Sequence, residues 1–222
     1  MPGSPPADAE PDRFEPGRLP ELPAELALSQ LPSGRHGLPR SFVARNQRLR
    51  IIAAMLRVLP QRGYAELTIG DLTKDAGVSR ATFYGQFETK EECFLVTYDV
   101  AAQWICERVE RVVSAGPEWP EGARAGVAEA MRLLAANPDV AHLLAVEALQ
   151  AGPAARRRRQ GCIEHLAEVL RAGRPANAEL PEELEELLVG GTLSLVGRYV
   201  DTGRVEQLPG ATVDLMALYF LK

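Results

Sequence analysis

Residues 68–90 read TIGDLTKDAGVSRATFYGQFETK, two short amphipathic segments either side of a glycine. Ile69, Leu72 and Ala76 recur at i, i+3 and i+7, so they line one face of a helix that Thr68 can cap. Gly77 supplies the turn, where a left-handed or closely packed backbone is cheapest for glycine. Ser79 can cap a second helix, and Val78, Phe83 and Phe87 are spaced to pack it on the first. Arg80, Ala81, Thr82, Tyr84, Gly85 and Gln86 then occupy its exposed and flanking positions. The pattern predicts a helix-turn-helix. An arginine near the start of the second helix suits bidentate bonding to guanine, and hydroxyls and an amide suit phosphates or base edges. An ordinary helical hairpin with a solvated polar face would not require turn, caps and apolar spacing to agree.

Working outward, a long helix is expected from about Ser41 to Arg62, with Leu49, Ile52, Leu56 and Leu59 as its apolar stripe and Arg50 and Arg57 on the outer side. Pro60 should distort its last turn and Gly63 should end it. After Phe87 a longer helix is expected from Glu88 to about Ser114. Lys90 lies at its start, where the helix dipole favours anions, so a phosphate could meet both. Residues 35–90 carry ten basic and four acidic side chains, a local +6 in a chain of net charge −5. Such asymmetry focuses phosphate binding on the part with the motif.

The 222 residues suffice for one sizeable core, or a small domain joined to a larger one. Apolar runs fall short of the roughly 18–20 residues that span a bilayer. The N-terminal MPGSPPADAEPDRFEPG has neither a basic start nor an apolar stretch, so a signal peptide is not expected and a cytoplasmic location is. Residues 1–37, rich in Pro, Glu and Ala, read as a disordered arm. Its end, GRHGLPR, places Arg35 and Arg40 where a flexible arm could enter a minor groove, a solvated linker being the equal alternative. Cys93, Cys106 and Cys162 form no C-x-x-C pair, and His36, His142 and His165 do not approach zinc spacing with them, so neither a metal site nor a disulfide framework is expected.

Beyond Pro120, helices are expected near 121–136, 138–151, 154–172, 181–202 and 211–221, separated by Asn137-Pro138, Gly152-Pro153, Gly173-Arg174-Pro175 and Leu208-Pro209-Gly210. Arg156 to Arg159 reads as a solvated helix start or as partial neutralisation of an acidic half. Leu188 and Leu195 belong to a broad apolar face interrupted by Gly190, Gly191 and Gly197, which would admit a partner helix closely. The last helix, with Leu215, Leu218 and Tyr219, is apolar on most sides and must be covered. No Ser/His/Asp order, paired carboxylates or phosphate-binding glycine loop supports an enzyme.

The 68–90 motif resembles the DNA-binding domain of the tetracycline-repressor (TetR) family, roughly T-x-x-x-[IL]-A-x-x-A-G-V-S-x-x-T-x-Y-x-H-F-x-x-K. Thr68, Leu72, Ala76, Gly77, Val78, Ser79, Thr82, Tyr84, Phe87 and Lys90 stand at matching places. The chain departs at Thr73, where alanine is usual, at Gln86, where histidine is common, and at Gly85, where relatives often carry a large side chain that touches DNA. The resemblance implies an all-α fold: a three-helix DNA-binding domain over 38–90, then a helical ligand-binding and dimerisation domain over 91–222. It further implies a homodimer through a four-helix bundle (Leu188, Gly191, Leu195, Leu215, Leu218 and Tyr219) and an inducer cavity walled by Trp104, Met131, His142, Leu143, Val146, Glu147, Cys162 and His165.

The function so implied is a regulator, most readily a repressor of a palindromic operator released by a small-molecule inducer, with no other cofactor and no metal. A non-inducible regulator with a filled core or a protein partner is the first alternative, and an enzyme in the C-terminal helices the second. Double-stranded DNA contacts are expected from Thr68, Ser79, Arg80, Ala81, Thr82, Tyr84, Gly85, Gln86 and Lys90. Removing residues 1–37 is expected to leave the thermal melt unchanged. If Arg35 enters the minor groove, the truncated chain should bind more weakly to sites flanked by A·T tracts than to others; equal affinity across flanks would leave the arm a linker.

Overall fold

The computed structural model describes residues 40–175, 180–181 and 183–211. Arg35, the Arg40 side chain and Leu215, Leu218 and Tyr219 of the expected last helix lie outside them. Every regular element among the described residues is helical: α1 (Arg40–Glu66), α2 (Ile69–Ala76), α3 (Arg80–Tyr84), α4 (Lys90–Ala115), α5 (Glu121–Ala136), α6 (Pro138–His142), a π-helical turn (Leu143–Glu147), α7 (Ala148–Gln150), α8 (Pro153–Arg171), α9 (Leu184–Asp201) and a 3₁₀ turn (Val205–Gln207). None of these helices is long and apolar enough to cross a membrane.

The expected stripe of α1 is buried, but so is every residue from Ile51 to Leu56. Helix α1 is wedged between α2 and α3 on one side and α4, α6 and the π turn on the other, so a single apolar face would not suffice. Gly63 interrupts it at φ 71°, ψ 156°, a conformation that a side chain would disfavour. Beyond that break Leu67 turns inward, and Thr68 caps α2.

That cap is reciprocal. The Asp71 N–H donates to Thr68 Oγ1 (3.2 Å), while the Thr68 N–H donates to Asp71 Oδ2 (3.0 Å). Gly77 ends α2 at φ 60°, ψ 42°, its N–H returning to the Lys74 and Thr73 carbonyls. Ser79 Oγ accepts from the Thr82 N–H at 3.0 Å to start α3, and Thr89 caps α4, so that helix begins at Lys90 instead of Glu88. Leu72, Phe83 and Phe87 are buried beneath the turn.

The C-terminal helices form the rest of one continuous apolar cluster. Helix α4 packs on α5 and α8, and α8 on α9. The junction of α8 and α9 is ionic: Glu185, fully buried, meets Arg171 at 3.3 Å and Arg174 at 3.1 Å. In the 156–159 run, Arg158 pairs with Asp99 at 3.3 Å and Arg156 donates to the Leu149 carbonyl, so the run partly ties α8 to its neighbours. The 138–151 segment is helical as expected but carries the π turn in its middle. Residues 208–211 are helical, with Pro209 in the first turn instead of acting as a separator.

Gly77→Ala places a Cβ in the left-handed region and is expected to cost about 1–2 kcal/mol, read as a lowered midpoint in urea. The Thr68 hydrogen bonds hold the Asp71 carboxyl below its usual range. The cap's contribution is therefore full above the ordinary carboxylate pKa and is lost as pH falls through the lowered one. Asp71→Asn should flatten that part of the acid-denaturation curve.

Candidate nucleic-acid interface

The N-terminal end of α3 is the exposed part of the helix-turn-helix. Ser79, Arg80, Ala81, Tyr84 and Gly85 are exposed, Tyr84 to 57%, while Thr82 and Gln86 are half-buried. Phe83 anchors the helix from below and takes the Tyr84 ring edge-on at 5.6 Å, which fixes the direction of the exposed phenol. Ser79 and Thr82 hydroxyls lie 2.9 Å apart and are already engaged in the cap, as is the Thr68 hydroxyl, which donates to Asp71 Oδ2 at 2.6 Å. At Gly85 an added Cβ would meet the Ala81 and Thr82 carbonyls at 3.4 and 3.5 Å, so the missing side chain leaves room on the outer surface.

Most of the surrounding positive charge serves the scaffold. Arg48 donates to the Gln86 carbonyl at 2.5 Å, with its guanidinium 4.3 Å from the Phe87 ring centroid. Arg50 donates to the Ala76 and Gly77 carbonyls at the end of α2. Arg57 forms a two-pronged pair with Asp75 (3.0 and 2.6 Å), and Arg62 lies 3.5 Å from Asp71. Arg80 has no such partner among the described residues.

Lys90 requires a correction. Its expected role was to meet a phosphate at the α4 N-terminus. Instead Nζ donates to the Tyr64 and Leu67 carbonyls at 2.8 and 2.9 Å and sits 4.3 Å from the Tyr64 ring centroid. Partial burial pushes its pKa down. It closes two carbonyls at the end of α1, where the helix supplies no further N–H donors.

Tyr64 is also held from the opposite side. Its N–H donates to Glu147 Oε2 at 2.8 Å, and its ring meets Phe94 edge-on at 4.9 Å. Glu147 is nearly fully buried in the π turn, with its other oxygen 3.8 Å from His142 Nδ1. A carboxylate expected on a cavity wall thus connects the C-terminal helices to the residue preceding the helix-turn-helix.

The cavity itself lies between α4, α5, α8 and α9 and measures about 50 Å³. Ile105, Val109, Val127, Leu134, Leu166 and Leu193 give it an apolar lining, closed at one point by Leu144 of the π turn. The hydroxyls of Tyr98 and Thr192, both on its wall, have no hydrogen-bond partner among the described residues. Of the expected wall residues, Cys162 alone lines it. Trp104, Met131 and Leu143 are buried elsewhere in the core, Val146 is half-buried away from it, and His142 and Glu147 lie toward α1. His165 Nε2 pairs with Glu110 at 2.7 Å. Leu188 and Leu195 are half-buried on α9 and Gly191 is exposed.

Two capped helices at a left-handed turn, braced by a third and presenting an arginine at the second helix's start, define a helix-turn-helix protein. Residues 51–97 match the family model of bacterial regulatory proteins of the tetR family. Over 104 residues the chain is 32% identical to the HTH-type transcriptional regulator EthR of Mycolicibacterium smegmatis, covering 46% of this chain and 48% of that one. Over 59 residues it is 42% identical to the HTH-type regulator CymR of Pseudomonas putida, 27% of this chain and 29% of that one. The matched segments thus span about half of the first relative and under a third of the second. Among solved structures, the regulator FadR of Bacillus subtilis in complex with stearoyl-CoA superposes with a TM-score of 0.68 at 21% identity, covering 77% of this chain and 96% of that chain. The likeness to the tetR family thus rests on residues 51–97, which hold the helix-turn-helix.

Lys90→Met keeps the bulk but removes the donors, leaving two carbonyls unpaired. It is expected to lower stability by about 1–3 kcal/mol in denaturant unfolding. A Lys90 that served only DNA would leave that curve unmoved.

Proposed function

We propose that this chain is a sequence-specific transcriptional regulator, acting in the cytoplasm as a homodimeric repressor on a palindromic operator. The observation that carries the reading is the exposed start of α3. There Arg80 stands without a partner among the described residues, on a turn whose neighbouring arginines are tied to carbonyls and carboxylates. Arg80 reads a base, and Ser79, Thr82, Tyr84 and Gln86 position the helix against phosphates and base edges. Thr68, Ala81 and Gly85 allow close approach to the backbone. Functionally, residues 1–37 act as an arm, 38–90 as the DNA-binding half and 91–222 as the responding half.

A dimer is supported by the outer face of α9. Leu187 is 69% exposed, and a Cβ built on Gly190 or Gly191 meets nothing within 4 Å, so a second helix has space to approach. Two-fold pairing there sets two α3 helices against half-sites about 34–36 Å apart. The relatives' names are those of regulators, which supports a non-enzymatic role.

The FadR neighbour holds stearoyl-CoA, and the apolar cavity between α4, α5, α8 and α9 suits an aliphatic chain in chemistry. Its volume of about 50 Å³ is far below the roughly 300–1,000 Å³ of ligand pockets. That favours, as a second reading, a regulator whose core is filled until something opens it. A thermal melt that rises with added long-chain acyl-CoA decides for the inducible form; no rise with acyl-CoAs of any length decides against it.

Mobility shifts on fragments selected from genomic DNA test the main reading, with affinity expected to fall steeply with salt as counterions are released. Arg80→Ala should cost about 1–3 kcal/mol and relax preference at one base per half-site. Loss of affinity with unchanged preference would move Arg80 from base reading to phosphate binding. Absence of binding at low salt would overturn the reading.

A further inference from the structure

Cys106 on α4 and Cys162 on α8, 56 positions apart in sequence, have their sulfurs 3.9 Å apart in the core. Both are buried, and Cys162 lines the cavity. The Tyr98 hydroxyl, fully buried on the same wall, has no hydrogen-bond acceptor among the described residues. A thiolate at Cys162 would provide one, and would accept from a Cys106 S–H at the same sulfur. We propose that Cys106 and Cys162 form a peroxide-reactive dithiol, with Cys162 the attacking thiol and Cys106 the resolving one.

The asymmetry of the pair supports these roles. The Cys106 S–H, foremost, holds the Cys162 thiol below its usual range. The Tyr98 hydroxyl and the Arg159 charge act in the same direction against burial. Cys106 is pushed well up by its contact with Cys162 first and by burial second. Cys93 is the internal control, since burial raises its thiol to about 12 and nothing brings another sulfur to it. A cavity of about 50 Å³ admits a few small atoms, given that a water needs roughly 10–15 Å³ of such space. Hydrogen peroxide therefore fits where an acyl chain does not.

The chemistry balances with a hydroperoxide as oxidant. The Cys162 thiolate attacks the near oxygen, the O–O bond breaks, and the leaving oxygen takes up the proton that Cys162 released, departing as water or an alcohol and leaving a sulfenic acid. Cys106 sulfur then attacks the Cys162 sulfur, expelling the sulfenic oxygen as water, and its own proton goes to that leaving oxygen. Two thiols have lost two electrons to one peroxide. Bond formation brings the sulfurs to about 2 Å, drawing α4 and α8 together. Helix α4 carries Lys90 and Phe94, which hold Tyr64. Oxidation is therefore expected to weaken DNA binding as well, a consequence that rests on the regulatory reading above, whereas the modification itself does not.

The test treats the full chain with hydrogen peroxide, then alkylates and maps the peptides by mass spectrometry. A Cys106–Cys162 disulfide reversed by dithiothreitol is expected, with Cys93 still alkylatable. Cys106→Ser should accumulate a sulfenic acid on Cys162 that dimedone traps. Cys162→Ser should lose the reaction, with Cys162→Ala replacing it if circular dichroism shows a folding defect. Tyr98→Phe should slow disulfide formation by about tenfold. Three free thiols after excess peroxide, Cys93 reacting as fast as Cys162, or a sulfenic acid persisting on Cys162 in the unsubstituted chain would each overturn the proposal. Weaker DNA binding of the oxidised chain, restored by dithiothreitol, supports the coupling. Unchanged binding beside a mapped disulfide overturns the coupling alone.

Discussion

Tyr64 is held on every side, and the orientation of the helix-turn-helix follows from that. The backbone breaks at Gly63, which frees polar groups that α1 no longer satisfies. Glu147 takes the N–H of the next residue, Lys90 takes its carbonyl and that of Leu67, and Phe94 backs its ring. Three separate elements, the π turn, the start of α4 and the end of α1, thereby meet at one peptide. A buried carboxylate without such a partner would be costly. The buried acid and the inward-turned lysine therefore each answer a different polar group of the same short segment, and removal of either leaves its own partner unsatisfied.

The same logic revises what local charge means. A net +6 over residues 35–90 suggests a surface covered with phosphate ligands. In the folded chain Arg48, Arg50, Arg57 and Lys90 answer carbonyls and a carboxylate created by the fold's own turns. Helix ends leave four carbonyls without partners, and a guanidinium can satisfy two at once, as Arg50 does at the end of α2. Short helices closed so tightly have little freedom to shift, which is what a rigid reading head needs. The charge left over from these contacts is smaller than composition implies.

How much could be read from the chain beforehand follows the range of the interactions. The caps at Thr68 and Ser79, the left-handed Gly77 and the buried Phe83 and Phe87 act within a few residues, and each was legible. So were the helices from 121 to 201, because their separators are local. Contacts across long sequence distances were not. Glu147 and Tyr64 are 83 residues apart, and Cys106 and Cys162 are 56 apart. Periodicity gave the faces of α4 and α8 but not the register that sets two thiols opposite one another. The cavity wall was misassigned for the same reason: apolar type and helical spacing do not say which of two buried faces borders a void. For Lys90, the dipole argument was sound, but the Tyr64 and Leu67 carbonyls at the end of α1 take its Nζ.

The π turn joins these two halves of the molecule. Leu144 borders the cavity, and Glu147, three residues later, holds Tyr64. Between them Ala145 lies under Gly197 of α9, where an added Cβ would sit 3.6 Å from its carbonyl. One turn of wider helix thus touches the void, the outer helix and the hinge of the DNA-binding half together. Close-packed interiors move between discrete arrangements more readily than they deform continuously. An occupant that displaces Leu144, or a bond that draws α4 toward α8, therefore acts on the Tyr64 contacts through the same few residues. A wider helical turn also leaves its hydrogen bonds easier to rearrange than those of an α-helix. The wider turn at this place thus holds the contacts between the two groups of helices with no separate loop among the described elements.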